Sequence, residues 1–189
     1  FAFPLAADGT ISPGEDQSFY GATGVTITVT GATIFRFNDG TGVAKPDTVI
    51  EYSTLTPEEK AILTAVIFRD QVTSIGNSAF WQCIKMTSVT FGDDSQLTSI
   101  EGGAFAECGN LISVTIPDDV TTIGEGAFYN CDVLTEVTFG QDSKLTRIGG
   151  SAFWECSSLT SITIPDGVTS IGIEAFTISG LTSVSIDVV

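Results

Sequence analysis

One phrase governs this chain: Val-Thr-Thr-Ile-Gly-Glu-Gly-Ala-Phe-Tyr-Asn-Cys-Asp-Val-Leu-Thr-Glu-Val-Thr-Phe, from Val120 to Phe139, is written five times with variations between Val72 and Ile186. Its Ala-Phe pair ends at Phe80, Phe105, Phe128, Phe153 and Phe176, so successive steps alternate between 25 and 23 residues. Cys83, Cys108, Cys131 and Cys156 keep the same beat, with Ser179 in the fifth place. A period of roughly 20–30 residues with Leu, Ile and Phe at fixed phase predicts a stacked solenoid. One unit cannot bury its apolar side alone, whereas stacked units bury it against one another.

Each unit holds two extended pieces. In Leu159–Ile164, Leu159, Ile162 and Ile164 fall on one side and Ser161 and Thr163 on the other, the period of a half-buried strand. The second piece, Val168–Ile171, is expected to bury Val168 and Ile171. Pro117 and Pro165, or Gly92 and Gly140 in alternate units, turn the chain between the pieces. The longer units carry their extra residues in this turn (Gly92-Asp93-Asp94-Ser95-Gln96 against Pro117-Asp118-Asp119), which lengthens a surface loop and spares the core. Stacking predicts rows of Met86, Leu111, Leu134, Leu159 and Leu181, of Ile75, Ile100, Ile123, Ile148 and Ile171, and of the five Phe. Neighbouring rungs lie ~4.8 Å apart, so each row is nearly continuous.

The frame extends backwards. Leu63–Phe68 matches Met86–Phe91 at a spacing of 23, and Val49 and Tyr52 are placed opposite Val72 and Ile75 by the same offset. Thr56-Pro57-Glu58-Glu59 reads as a helix start, with Thr56 as N-cap, Pro57 at the first helical position and Glu59 closing a capping box, the helix running to about Leu63. Further upstream, Val25–Val29 alternates like a strand, Ile34–Phe37 resumes the pattern after Gly31, and Asn38-Asp39-Gly40 supplies a turn. Residues 1–20 are rich in Gly, Pro and Ser and read as an arm, and Leu5-Ala6-Ala7 has the small-residue end of an export signal without a basic leader. The expected organisation is an N-terminal arm and β-rich cap at 1–48, whose strand pair covers the open end of the stack. A degenerate first repeat follows at 49–71 and full repeats at 72–189. The chain stops in a strand pattern, Ser185-Ile186-Asp187-Val188-Val189, without a polar cap, so the repeats are expected to continue past it.

The pattern Ala-Phe-x-x-Cys-x-x-Leu-x-x-Val-x-Ile-Pro-x-x-Val-x-x-Ile-Gly resembles the BspA-like (Treponema pallidum-type) leucine-rich repeats over about Val49 to Val189. The resemblance implies a leucine-rich-repeat solenoid, a right-handed β/α coil with a parallel β-sheet and short helical turns. It also implies a surface or secreted protein of the kind linked to adhesion to matrix proteins or to other cells, and it carries no catalytic motif. The chain departs from the pattern at Ser179, where Cys is expected, and in its acidity.

Seven basic side chains face 23 acidic ones, a net charge of −16. That field repels nucleic-acid phosphates and anionic lipid surfaces, so neither is an expected partner. With 42% apolar and 16% charged residues the composition is that of a folded chain, and no apolar run reaches membrane-spanning length. There is no His, no G-x-S-x-G, no P-loop and no complete G-x-G-x-x-G, so neither catalysis nor a cofactor is expected. The Cys are spaced one per rung without a C-x-x-C, which suits free buried thiols better than zinc, and side chains pointing in parallel suit a disulfide poorly. Asp93-Asp94, Asp118-Asp119, Asp142 and Asp166 cluster in loops without EF-hand spacing, the pattern of solvated charge more than of a Ca²⁺ site.

The candidate partner-binding face is the outward row of the first strand: Ser88, Thr90, Ser113, Thr115, Glu136, Thr138, Ser161 and Thr163, continued by Ser183 and Ser185. Thr is also simply a good strand residue whose ladders bond sideways. Trp81, Tyr129 and Trp154, each following a repeat Phe, are candidate aromatic anchors if exposed and covers for the next rung if not. The expected function is recognition or adhesion at a cell surface or outside the cell, with a matrix or cell-surface protein, or a glycan, as partner. The alternative is a structural spacer in a larger surface protein. Ice or mineral binding by the hydroxyl rows is a third reading, which Glu136 and Arg147 spoil by breaking the regularity.

Overall fold

The structure is a computed structural model and describes residues 25–29, 49–50, 60–61, 63–68 and 72–187. Its strands pair in parallel and fall into two families that alternate along the chain. The first contains β1 (Val25–Val29), β3 (Leu63–Phe68), β5 (Ser88–Phe91), β7 (Ser113–Ile116), β9 (Glu136–Phe139), β11 (Ser161–Ile164) and β13 (Ser183–Ile186). The second contains β2 (Val49–Ile50), β4 (Ser74–Ile75), β6 (Ser99–Ile100), β8 (Thr122–Ile123), β10 (Arg147–Ile148) and β12 (Ser170–Ile171). One winding of the chain therefore lays one strand in each sheet, as a solenoid requires.

The predicted rows form the core. Met86, Leu111, Leu134 and Leu159 are buried, as are Ile75, Ile100, Ile123 and Ile148. The five Phe rings stack face to face, with centroids 5.4 Å apart from Phe80 to Phe105 and from Phe105 to Phe128, 5.3 Å to Phe153 and 5.4 Å to Phe176. Each such pair adds about 0.5–1.5 kcal/mol beyond its buried area. Ile171, expected inside, is 51% exposed, because no described rung lies over the last one; Ile173, Ile178, Val184 and Ile186 are exposed with it.

Between the sheets the chain makes turns where short helical turns were expected. Backbone donors alternate in direction: Ala79, Trp81 and Cys83 N–H bond three residues back, to Gly76, Ser78 and Phe80, while Ser78, Phe80 and Gln82 N–H bond the next rung at Gly102, Ala104 and Ala106. A helix would turn every donor back on its own chain. The alternation is held by two left-handed positions per repeat, for example Ser78 (φ 55°) and Gln82 (φ 62°), or Gly126 (φ 60°) and Asn130 (φ 54°).

The frame differs from the sequence reading at one place. β3 meets β5 at the predicted spacing, with Val66 opposite Val89 and Phe68 opposite Phe91. In the second sheet, however, Val49 lies opposite Ser74 and Ile50 opposite Ile75, so the register sets Ile50 at the position that the sequence match gives to Tyr52. That step is a long one of 25 residues, whereas the sequence match rests on a short one. The strand expected at Val25–Val29 is β1, paired in parallel with β3. Lys60 is helical, and Leu63 already belongs to β3. The remainder of the capping-box helix at 56–59, the strand and turn at 34–40, and the arm at 1–20 lie outside the described residues.

Candidate recognition face

Strand alternation sets the outward row. Val89, Val114, Val137 and Ile162 are buried, so Ser88, Thr90, Ser113, Thr115, Glu136, Ser161 and Thr163 stand exposed and Thr138 half-buried. The row is not one flat surface. β3 and β5, β7 and β9, and β11 and β13 pair over four residues each. β5 and β7 meet only at Ser88 and Ser113, and β9 and β11 do not pair at all, so β11–β13 stands as a separate two-stranded sheet.

The sequence explains the openings. After most strands the next N–H closes the ladder onto the preceding rung: Gly92 onto the Phe68 carbonyl (2.9 Å), Gly140 onto Ile116 (3.3 Å) and Asp187 onto Ile164 (2.8 Å). In the rungs between, that residue is Pro117 or Pro165, which has no N–H to offer the Phe91 or Phe139 carbonyl. At the strand starts, Thr87, Thr135 and Thr182 hydroxyls each donate to the rung before, at 3.1–3.2 Å. At the β5–β7 step the equivalent residue is Ile112, which has no hydroxyl.

Each opening is a cleft, and together the two clefts hold all eight face residues. The larger, about 800 Å³, is lined by Ser88, Thr90, Ser113 and Thr115 and walled by the loops carrying Asp93, Asp94, Asp118 and Asp119. The smaller, about 280 Å³, takes in Glu136, Thr138, Ser161 and Thr163. Across the closed steps the hydroxyls pair, Thr115 with Thr138 at 2.8 Å and Thr163 with Ser185 at 2.9 Å. The sequence reading keeps the acidic loops and the hydroxyl face as separate features, and the structure joins them. The alternation of Pro and Gly after successive strands is the available signal.

The remaining candidates lie elsewhere. Trp81, Tyr129 and Trp154 line neither cleft. Trp81 is 40% exposed, donates through Nε1 to Glu107 at 3.2 Å, and has the Lys60 ammonium 4.8 Å from its ring centre. Tyr129 and Trp154 are half-buried, with rings 6.4 Å apart, and so cover neighbouring rungs. In the second sheet, Thr98, Thr121, Thr146 and Thr169 hydroxyls each donate to the Thr carbonyl one rung back, at 2.9–3.2 Å, a row of stitches that sequence reasoning did not single out.

The four thiols are free and buried. Cys108, Cys131 and Cys156 donate through Sγ to the carbonyls of Phe80, Phe105 and Phe128 at 3.2–3.3 Å, which ties each rung to the one before. Ser179 bonds the Phe176 carbonyl of its own rung at 2.6 Å, so the substitution loses the link between rungs. Burial pushes the Cys83 and Cys156 thiols up to about 12 and those of Cys108 and Cys131 well above the ordinary value. Such thiols are poor nucleophiles and poor metal ligands. Among the described residues, no group of three or more Cys, Asp or Glu is arranged to hold a metal ion.

Two families of parallel strands wound by one chain, with Leu, Ile and Phe stacked in rows, define a leucine-rich-repeat solenoid. The chain belongs to the BspA type leucine-rich-repeat family, whose model matches residues 58–182 in six copies. Among solved structures it is similar to the pneumococcal vaccine antigen PcpA (TM-score 0.73, 23% identity, 90% of this chain and 42% of that one). It is also similar to a leucine-rich cell surface protein from Faecalibacterium prausnitzii (0.56, 29%, 98% and 52%) and to the leucine-rich-repeat protein of T. pallidum (0.58, 22%, 91% and 78%). The chain thus spans about half the length of the first two. Comparison with curated proteins gives no match. Among the described residues no helix is long and apolar enough to cross a membrane.

Proposed function

We propose that this chain is a non-enzymatic recognition module, displayed on a cell surface or secreted, that binds a protein partner through its first-sheet face. The observation that carries the reading is the gathering of all eight candidate face residues into two clefts on one side of the stack. Repeat solenoids offer extended surfaces of this kind, and the exposed hydroxyls supply both donors and acceptors for a partner. The similar F. prausnitzii protein is described as a cell surface protein, which supports the location.

The test is binding of the purified chain to a panel of matrix proteins, glycans and intact cells at low and high salt. A partner that is retained in salt and lost on Thr115→Lys plus Thr138→Lys locates the face. Silence across the whole panel overturns the reading in favour of a spacer.

A further inference from the structure

We propose that the cleft between β5 and β7 receives an extended, lysine- or arginine-bearing segment of a polypeptide partner. The inference rests on the recognition reading above and names the chemistry of its ligand. At about 800 Å³ the cleft is of a size to enclose a long side chain and its neighbours. Its side-chain polar groups are acceptors or hydroxyls almost throughout: the Asp93, Asp94 and Asp118 carboxylates with the Ser88, Thr90 and Thr115 hydroxyls. The opened ladder adds a backbone acceptor, because Pro117 has no N–H to give the Phe91 carbonyl.

The cation at the rim does not neutralise this lining. Lys144 Nζ pairs with Asp119 Oδ1 at 2.5 Å and its charge also reaches Asp118, whereas Asp93 and Asp94 have no cation partner among the described residues. Beneath them the floor is apolar, with Val89 and Ile116 buried and Phe91 half-buried. An ammonium or guanidinium on an aliphatic stem matches that layering: the stem lies on the floor and the charged head meets the carboxylates at the rim. The carboxylates come from two loops on successive rungs and do not converge into a set of three fit to hold a metal ion, so they suit separate donors spaced along a chain. The net charge of −16 favours the encounter.

The probe is a labelled twelve-residue peptide of repeated Arg-Ser-Gly, with its Glu-Ser-Gly counterpart as control, titrated by fluorescence anisotropy against the full chain. Asp94→Asn plus Asp118→Asn removes two cleft charges. Glu125→Gln plus Asp132→Asn removes two exposed charges that line neither cleft, and circular dichroism checks that both variants fold. The expected result is binding of the Arg peptide alone, weakened about tenfold by the cleft pair and less than about twofold by the other pair. Equal weakening by both pairs, or no binding of the Arg peptide, overturns the proposal. So does a panel partner that is lost with Thr115→Lys plus Thr138→Lys but indifferent to the cleft pair, and that outcome leaves the recognition reading standing.

Discussion

The two sides of this solenoid are wound by the same chain, seven strands on one and six on the other, yet the six form a continuous sheet and the seven a broken one. The second sheet has strands of only two residues, and all six stay in register whether the step is long or short. The first has strands of four or more residues and opens at both long steps between its full repeats. Strand length is therefore not what keeps rungs together. The continuous side is fixed by features that recur through the middle rungs: the Phe stack, the thiol links, the Thr stitches and close backbone packing. The broken side loses its closing bond wherever Pro replaces Gly. The rigid side carries the stability, and the side with the interruptions has room for a ligand.

The largest effect should come from the middle of the Phe stack. Phe128 is fully buried and stacked on both sides, so Phe128→Ala should cost about 3–5 kcal/mol in urea denaturation. Phe91, half-buried in the cleft wall, should cost well under half as much when truncated. Equal costs would show that the two sides are not mechanically different.

Next comes a glycine pair. A Cβ on Gly149 would overlap the Gly124 carbonyl carbon and the Glu125 nitrogen, backbone atoms that cannot yield without parting the rungs. Gly149→Ala should destabilise by about 1–3 kcal/mol. A Cβ on Gly140 would meet the carboxylate of Asp118, an exposed side chain free to swing aside, so Gly140→Ala should stay below about 1 kcal/mol by the same denaturation.

The thiols give a pH signature of the continuous side. A folded pKa raised from 9.0 to about 12 means that Cys83 and Cys156 contribute stability that is fully present below pH 9 and lost as pH rises towards 12. The urea midpoint should fall across that window, and fall less steeply in the Cys83→Ala plus Cys156→Ala variant. At pH 8 the folded chain should leave a thiol reagent unconsumed until urea is added.

How much of this was legible follows from what repetition can encode. Rows such as Ile75–Ile148 and the Phe ladder were readable, because a residue type kept at fixed phase must meet its own copies in the stack. The turn conformation was not. It depends on left-handed backbone at Gln82, Glu107, Asn130, Glu155 and Ile178, five side chains with no common preference for that conformation. The clefts were hidden for another reason: a missing N–H at Pro117 acts on the rung before it, so its effect appears only once the Ser88–Ser113 register is known. The exposed Ile171 was misplaced because periodicity assigns a face and cannot say whether a rung lies above it.

The smallest effect bears most directly on the difference between the sheets. Pro117→Ala supplies the N–H that the Phe91 carbonyl lacks, and if proline alone holds the β5–β7 step open, the step should zip shut. A new bond gains about 0.5–1.5 kcal/mol, while the freer unfolded chain costs about 0.4–1, so the net change in stability should be close to zero. Hydrogen exchange separates what denaturation cannot. The amide introduced by the substitution, and the amides of Ser113–Ile116 beside it, should exchange as slowly as those of β9. Closure should also shrink the cleft and weaken its hold on a basic peptide. If the introduced amide instead exchanges at a loop's rate, the opening belongs to the 25-residue step itself, whose longer loop at 92–96 leaves the rungs apart whatever residue follows the strand. In that case Pro165→Ala should fail to close the β9–β11 step for the same reason, since Gly140–Lys144 lengthens that step in the same way.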